Sequence, residues 1–166
     1  MGYFSRFPFV KDYLIDGQAY TGMDITRRTG IVDRESLPAS VYMEYTIRDG
    51  ESPIVLADRL YDDPEMYWVI MLFNGIFDIE DEWPLDQVAL DNYVTRIYDD
   101  PYGIHHYISV ANGLIVDPEV NPDYDTIPVT NYEHEIALND AKRDIKLPTP
   151  SYASSIVSQH NKLVKA

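Results

Sequence analysis

Apolar and polar residues alternate without a break from Val41 to Ile47: Val41, Met43, Tyr45 and Ile47 fall on one side, Tyr42, Glu44 and Thr46 on the other. A period of two predicts a strand with one buried face, and Asp49-Gly50 ends it as a turn. The period then lengthens. Ser52 followed by Pro53 marks a helix start, with serine as N-cap and proline at the first helical position, and Leu56, Ala57, Leu60 and Tyr61 line one face. A second start follows at Asp63-Pro64-Glu65, where the acid suits the positive end of the helix dipole. Tyr67–Phe73 is apolar on all sides, so this helix should be buried over most of its surface. Asn74-Gly75 stops it, since glycine accepts the left-handed conformation at little cost. Tyr45, Leu60, Tyr67, Trp68 and Leu72 are the expected core of this segment.

The flanks are less regular. Met1–Thr29 opens with Tyr3, Phe4, Phe7, Pro8 and Phe9 at no helical spacing and predicts an extended arm that docks on its own core or on a neighbour. Asp24–Ile31, which holds Arg27 and Arg28, is a short extended stretch, and Ser36–Ser40 is a polar connection. Downstream, Ile76–Glu82 is an acidic loop before Trp83-Pro84, and Leu85, Val88, Ala89, Tyr93 and Ile97 predict a third amphipathic helix ended by Asp99-Asp100-Pro101. Ile104–Val110 and Leu114–Val116 flank Ala111-Asn112-Gly113, a strong hairpin signal. Asp117–Ile127, acidic and proline-bearing, is a loop. Thr130 and Glu133 have capping-box spacing and open a helix expected to reach about Lys146. Pro148 and Pro150 break it before a last amphipathic helix with Tyr152, Ile156, Leu163 and Val164. The expected class is α+β: an N-terminal extended arm over 1–40, a strand–helix–helix core with an added helix over 41–99, a hairpin and acidic loop over 100–130, and C-terminal helices over 131–166.

Charge narrows the list of partners. With 13 bases and 28 acids the formal charge is 13 − 28 = −15, a field that repels phosphate backbones and makes nucleic acid an unsuitable partner. The acids concentrate in the middle: between Arg59 and Lys142 there are 18 acids and one base, Arg96. After Ala141 the balance reverses, with Lys142, Arg143, Lys146, Lys162 and Lys165 against Asp144. A basic tail on an acidic body suits docking to a neighbour, with Arg143 and Lys146 as candidates, or compensation of helix dipoles. The 14 tyrosines add contact-forming surface, because the ring buries area while the hydroxyl stays wet. Tyr3, Phe4, Phe7 and Phe9 would form an apolar patch if left exposed, and such patches mark interaction sites. Tyr67–Phe73, the longest apolar run, is far too short to span a bilayer, and Met1–Phe9 lacks the pattern of a secretory signal. A soluble chain made in a cytoplasm is expected.

Catalytic signatures are missing from the sequence. There is no cysteine, no Gly-x-Gly-x-x-Gly, no P-loop and no Gly-x-Ser-x-Gly elbow. Of His105, His106, His134 and His160, the first two point to opposite faces of a regular strand and would not grip one metal. No metal or other cofactor is expected. Asp78, Glu80, Asp81 and Glu82 could supply a glycosidase's two carboxyls, but their run in one polar loop is better explained as a solvated face.

The residues "YTIRDGES", "LADRLY" and "YWVIMLFN" follow the order of a LysM module: strand, Asp-Gly turn, Ser-initiated helix, short break, apolar helix. A wider set resembles the baseplate wedge protein fifty-three family of T4-like contractile-tailed phages: "FSRFPFVKDY", "DITRR", "YMEYTIRDGESPIVLADRLYDDPEMYWVIMLFN", "EWPLDQ" and "YEHEIALNDAKRDIKL", in that order. The resemblance implies a non-enzymatic virion subunit of the tail baseplate, assembled in the host cytoplasm. It would hold wedges together around a central hub, in several copies, six on the resemblance, with other wedge, hub and sheath-proximal proteins as partners and neither nucleic acid nor membrane among them. On this reading Tyr3, Phe4, Phe7, Phe9, Arg27, Arg28, Arg143 and Lys146 are the candidate contacts. The alternative is a LysM-type binder of peptidoglycan or chitin, with the glycan between Asp49-Gly50-Glu51-Ser52 and Asn74–Asp81. The usual second LysM strand is replaced after the second helix by "EWPLDQVALDNYVTRIY", so that unit would be incomplete or completed by strands from elsewhere.

Overall fold

A computed structural model describes residues 2–4, 6–26, 29–31 and 36–165, with the backbone alone for 11–13. Arg27 and Arg28 lie outside the described residues. The chain is mixed helix and strand, as expected, and divides into two compact units: Met1–Thr46 with Glu51–Glu82 and Ile145–Ala166, and Ile47–Gly50 with Trp83–Asp144.

The first unit carries a hairpin where the sequence suggested an extended arm. Strands β1 (Phe9–Ile15) and β2 (Gln18–Met23) pair antiparallel, with Ile15 opposite Gln18 and Leu14 opposite Ala19. The two residues between them, Asp16 and Gly17, have φ of 52° and 79°. Two successive left-handed residues make the turn whose twist matches that of paired strands, and Asp-Gly is among its preferred pairs. Strand β3 (Tyr42–Thr46) follows, then helix α1 (Pro53–Tyr61), a single 3-10 turn over Pro64–Met66, helix α2 (Tyr67–Asn74) and the short α3 (Ile79–Glu82) inside the expected loop.

The punctuation expected for these helices is present. The Ser52 hydroxyl accepts the Val55 N–H, Pro53 opens α1, and Asp63 accepts the Glu65 N–H. Gly75 closes α2 with φ of 72°. Burial differs from expectation in detail. Ile47 is buried but Met43 is exposed, so the inward face of the strand is only partly covered. On α2, Trp68, Val69, Ile70 and Phe73 are buried, Leu72 is half-buried, and Tyr67 at the first position of the helix faces outward.

The end of the chain differs most from the expected helices. The helix opened by Thr130 is α5 (Asn131–Ala141), and it stops well short of Lys146. Asp144–Pro148 is instead strand β7, which pairs with β3. Thr149 donates its N–H to the Val41 carbonyl and Ile47 donates to Arg143, so partners run in opposite order and the pair is antiparallel. Ile145 and Leu147 are buried while Asp144 is exposed and Lys146 half-buried, an alternation that a helix would scatter around its axis. Thr149 then caps α6 (Pro150–Leu163), which packs on α2 through Ala153 and Ile156 against Trp68, Val69 and Phe73. Leu163, expected on the apolar face, is exposed, and Val164 is buried.

Asn74 joins helix to strand. Its amide nitrogen donates to the carbonyls of Ile70 and Lys146, and its oxygen accepts the Lys146 N–H, each at 2.8 Å. The side chain thus pairs with β7 as another strand would. Nearby, the Tyr61 hydroxyl donates to the Pro148 carbonyl at 2.9 Å, and burial pushes that phenol well above its usual range.

In the second unit, Asp86 caps α4 (Gln87–Ile97) by accepting the Ala89 N–H at 2.8 Å. The helix buries Leu90 and Val94, whereas Val88 and Ile97, assigned to the apolar face from sequence, are exposed. Strands β4 (Ile104–Ser109), β5 (Ile115–Val116) and β6 (Thr126–Thr130) form an antiparallel sheet in the order β5-β4-β6. The Asn-Gly turn between β4 and β5 has Gly113 at φ 69°. Strand β6 emerges from the end of the expected acidic loop, despite Pro128, and leads directly into the capping box of α5, where Thr130 and Glu133 bond reciprocally. The buried Asn139 of α5 makes a two-point pair with the Leu85 backbone, at 2.8 and 3.0 Å.

Leu147, with none of its surface exposed, should be the more sensitive probe of the β3–β7 pairing than its neighbour across the sheet, Met43. Leu147→Ala is expected to lose about 2–5 kcal/mol through lost burial and a residual cavity, and Met43→Ala less than about 0.5 kcal/mol. Denaturant unfolding of both variants measures this; equal costs would contradict the assignment of β7.

Candidate functional site

Of the four N-terminal aromatics, two face inward. Phe7 is 4% exposed, and Tyr3 sits at ring-centroid distances of 5.3 Å from Phe7, 5.3 Å from Trp68 and 4.6 Å from His160. His160, buried on α6, fixes this arrangement. Its Nε2 lies 2.8 Å from the Tyr3 carbonyl, which can only accept, so Nε2 carries a proton. Its Nδ1 lies 2.7 Å from the Thr29 hydroxyl, which supplies the matching donor when the ring is neutral. The N-terminal segment therefore has a polar lock as well as an apolar seat, and nothing in the sequence links Tyr3 with His160, 157 positions apart.

Phe4 and Phe9 face outward, and Phe9 belongs to a larger exposed set. Val10, Leu14, Ile15, Tyr20, Met23 and Ile25 are also exposed, Leu14 to 68% and Phe9 to 65%. Bulky side chains scattered singly over a surface are ordinary, but a run concentrated on one hairpin is the usual mark of an interaction surface. The second unit shows a comparable group on and around its sheet, including Val110, Leu114, Ile115 and Ile127.

The two basic candidates have partners within the chain. Arg143 donates from Nε to Asp140 at 2.8 Å, from its two terminal nitrogens to the carbonyls of Ile47 and Leu85 at 3.3 and 3.4 Å, and lies 3.6 Å from Asp49. One guanidinium thus satisfies two backbone oxygens and two carboxylates of the second unit, using the fork geometry that lysine lacks. Lys146 lies over the ring of Tyr42 at 4.7 Å, a cation–π contact.

The loops that would hold a glycan are similarly engaged. Glu51 pairs with Arg59 at 2.8 Å and accepts the Tyr45 hydroxyl at 2.7 Å, and Arg59 also donates to that hydroxyl. Asp49 accepts the Gln87 N–H, and the Asn74 amide is occupied by β7. In the acidic run, Glu82 accepts the N–H groups of Phe77 and Asp78 and Asp78 accepts that of Glu80, so these carboxylates organise their own turn. In the second unit, Gln87, Asp91 and Tyr132 bond mutually and clip α4 to α5. The Tyr132 hydroxyl, and then Gln87, hold the Asp91 carboxyl below its ordinary range.

The histidines of β4 depart from the regular-strand expectation. The register of β4 against β6 shifts between Ile104 and His106, where Ile104 faces Thr130 and His106 faces Val129. Such a bulge re-aims a side chain that strict alternation would send to the other face. The Nδ1 atoms of His105 and His106 come within 2.8 Å, and His134 of α5 stacks on His105 at 3.9 Å and 12°. Each of the three rings offers a nitrogen within 4.8 Å of the others. Burial, then the neighbouring His105 and His134, hold His106 below its ordinary pKa.

Taken together, these features describe a mixed helix-and-strand protein whose candidate polar residues Asp49, Glu51, Asn74 and Arg143 have partners within the chain and whose hairpin carries exposed apolar side chains. Residues 16–114 match the family model described as base plate wedge protein 53, and the chain belongs to that family. It is a structural protein of the phage tail baseplate, working among other baseplate proteins. None of the curated proteins matches it. Among the described residues no helix is long and apolar enough to cross a membrane.

The intramolecular roles of the two bases predict different costs for removing them. Arg143→Gln should destabilise the chain by about 1–3 kcal/mol, as loss of hydrogen bonds from a charged, mostly buried group does, and Lys146→Gln by less than about 1 kcal/mol. Thermal unfolding at fixed salt checks the order, which the docking reading alone would not produce.

Proposed function

We propose that this chain fastens baseplate wedges to one another around the hub, with the β1–β2 hairpin as its principal contact. The observation that carries this reading is the exposed apolar run of the hairpin, next to an N-terminal segment seated on Trp68 and His160. A rigid seat lets the hairpin reach a neighbour with little conformational entropy left to lose on docking. Subunits that meet by apolar surface bury it on assembly, and the uncovered residues of the second unit's sheet suit a second contact of the same kind. On this account the protein works by binding its neighbours, without catalysis, in several copies set by the symmetry of the baseplate.

Glycan binding is the second reading. The strand–helix–helix–strand order of β3, α1, α2 and β7 supports a LysM-like unit with the Trp83–Asp144 segment of the second compact unit inserted before its last strand. Against sugar recognition stand Asp49, Glu51 and Asn74, whose polar groups already have partners in the chain.

Two measurements separate the readings. Phe9→Ser with Leu14→Ser should leave unfolding within about 1 kcal/mol of wild type, since both side chains are exposed, yet sharply lower incorporation into baseplates. Normal assembly by the double variant would remove the hairpin from the interface. Calorimetric titration with N-acetylglucosamine oligomers should give no saturable heat, and micromolar affinity would favour the glycan reading.

A further inference from the structure

The three converging imidazoles of the second unit have no part in the reading above. His105 and His106 are adjacent in β4, and only the register shift there lets both present nitrogens to one point. His134 arrives from the second turn of α5, itself positioned by the Thr130–Glu133 capping box at the end of β6. Three separate pieces of local structure thus have to agree for the rings to meet.

The donor set selects the ion. All three ligand atoms are imidazole nitrogens, which suit zinc, copper, nickel and iron and do not suit magnesium or calcium. The chain has no cysteine to offer a softer alternative. In a tetrahedral site with metal–nitrogen bonds of about 2.0–2.1 Å, neighbouring nitrogens stand about 3.3 Å apart. The Nδ1 atoms of His105 and His106 stand 2.8 Å apart, and one nitrogen from each of the three rings lies within 4.8 Å of the others, so the tetrahedral spacing is within reach of small ring movements. His105 is exposed and His106 and His134 are half-buried, so the rings have room for the small rotations that would equalise the spacing. At one edge the ring of Tyr98 stands perpendicular to His105 at 6.4 Å, and its hydroxyl donates to Glu135 at 2.8 Å, which fixes that wall.

We propose that His105, His106 and His134 form a divalent transition-metal site, with zinc as the ion the set fits best. Three protein ligands leave a fourth position for water or for a donor from outside the chain. The ion would tie β4 to α5, and its binding free energy would add to the stability of the second unit.

The test uses tag-free full-length protein stripped with a chelator and titrated with zinc chloride by calorimetry. One tight equivalent per chain and a rise in Tm are expected. His134→Ala and His106→Ala should each weaken that equivalent by more than about 100-fold, because losing even an outer-shell partner costs 10–100-fold. Weak binding to scattered carboxylates, expected for so acidic a chain, would survive in both variants and so be distinguished. Should either variant fold poorly, cobalt(II) added to the wild-type protein gives a direct readout. Intense visible absorption typical of four-coordinate nitrogen ligation supports the site, and the faint spectrum of hydrated cobalt overturns it. Zinc affinity unchanged in folded His134→Ala would overturn it equally.

Discussion

The antiparallel pairing of β7 with β3 is the constraint on which the first unit depends. Two strands far apart in sequence must meet before α1 and α2 have a sheet to accompany, and before α6 has a fixed starting point. Ordering so long an intervening chain costs entropy that local contacts do not repay. The compensation is concentrated at β7: Ile145 and Leu147 are buried, Asn74 supplies both a donor and an acceptor to Lys146, and Tyr61 closes on Pro148. Thr149 then serves twice, donating its backbone N–H to Val41 and capping α6 with its side chain. A helix through Asp144–Pro148 would forfeit all of these together.

Side-chain amides and carboxylates do much of the work usually left to backbone ladders. Asn74 and Asn139 each pair in two places with a peptide unit of a distant segment. Ser52, Asp63, Asp86, Thr130 and Thr149 cap helices, and Asp78 and Glu82 organise the turn at α3. Among these acceptors Asp63 and Asp86 at helix starts and Asp78 and Glu82 at the α3 turn are acids set to structural work, where they satisfy N–H groups that have no partner inside the helix. The same economy leaves few uncommitted polar groups in the candidate glycan loops, while bulky apolar residues stand uncovered on the hairpin and around β4–β6.

Much of this was legible in the residues. Ser52-Pro53, Asp63-Pro64, Asn74-Gly75, Asn112-Gly113 and the Thr130–Glu133 spacing all act where their chemistry places them, because caps and turns are local. The β1–β2 hairpin carried an equally clear sign in Asp16-Gly17, obscured by the irregular aromatics before it. Strand β7 was hidden because α5 begins with a strong cap and the helix-favouring residues continue past its end; the alternation of Ile145 and Leu147 is visible only once the helix is allowed to stop. The site was harder to read. Long-range partners decided it: Tyr3 meets His160, Arg143 meets Ile47 and Leu85, and a bulge turns His105 toward His106. None of these follows from spacing; Arg143 and Lys146 looked available because Ile47, Leu85, Asp49 and Tyr42 lie far away in sequence, although Asp140, only three residues before Arg143, was a partner within reach of a local reading.

On the proposed reading, the apolar β1–β2 hairpin is surface in the isolated chain and interface in the virion. A side-chain-resolution image of the intact tail tests it most directly. Phe9, Leu14 and Ile15 should then be buried against a neighbouring baseplate subunit, with the hairpin still paired in the register that sets Leu14 opposite Ala19. A hairpin facing solvent in the assembled baseplate, with neighbours meeting the chain elsewhere, would contradict it.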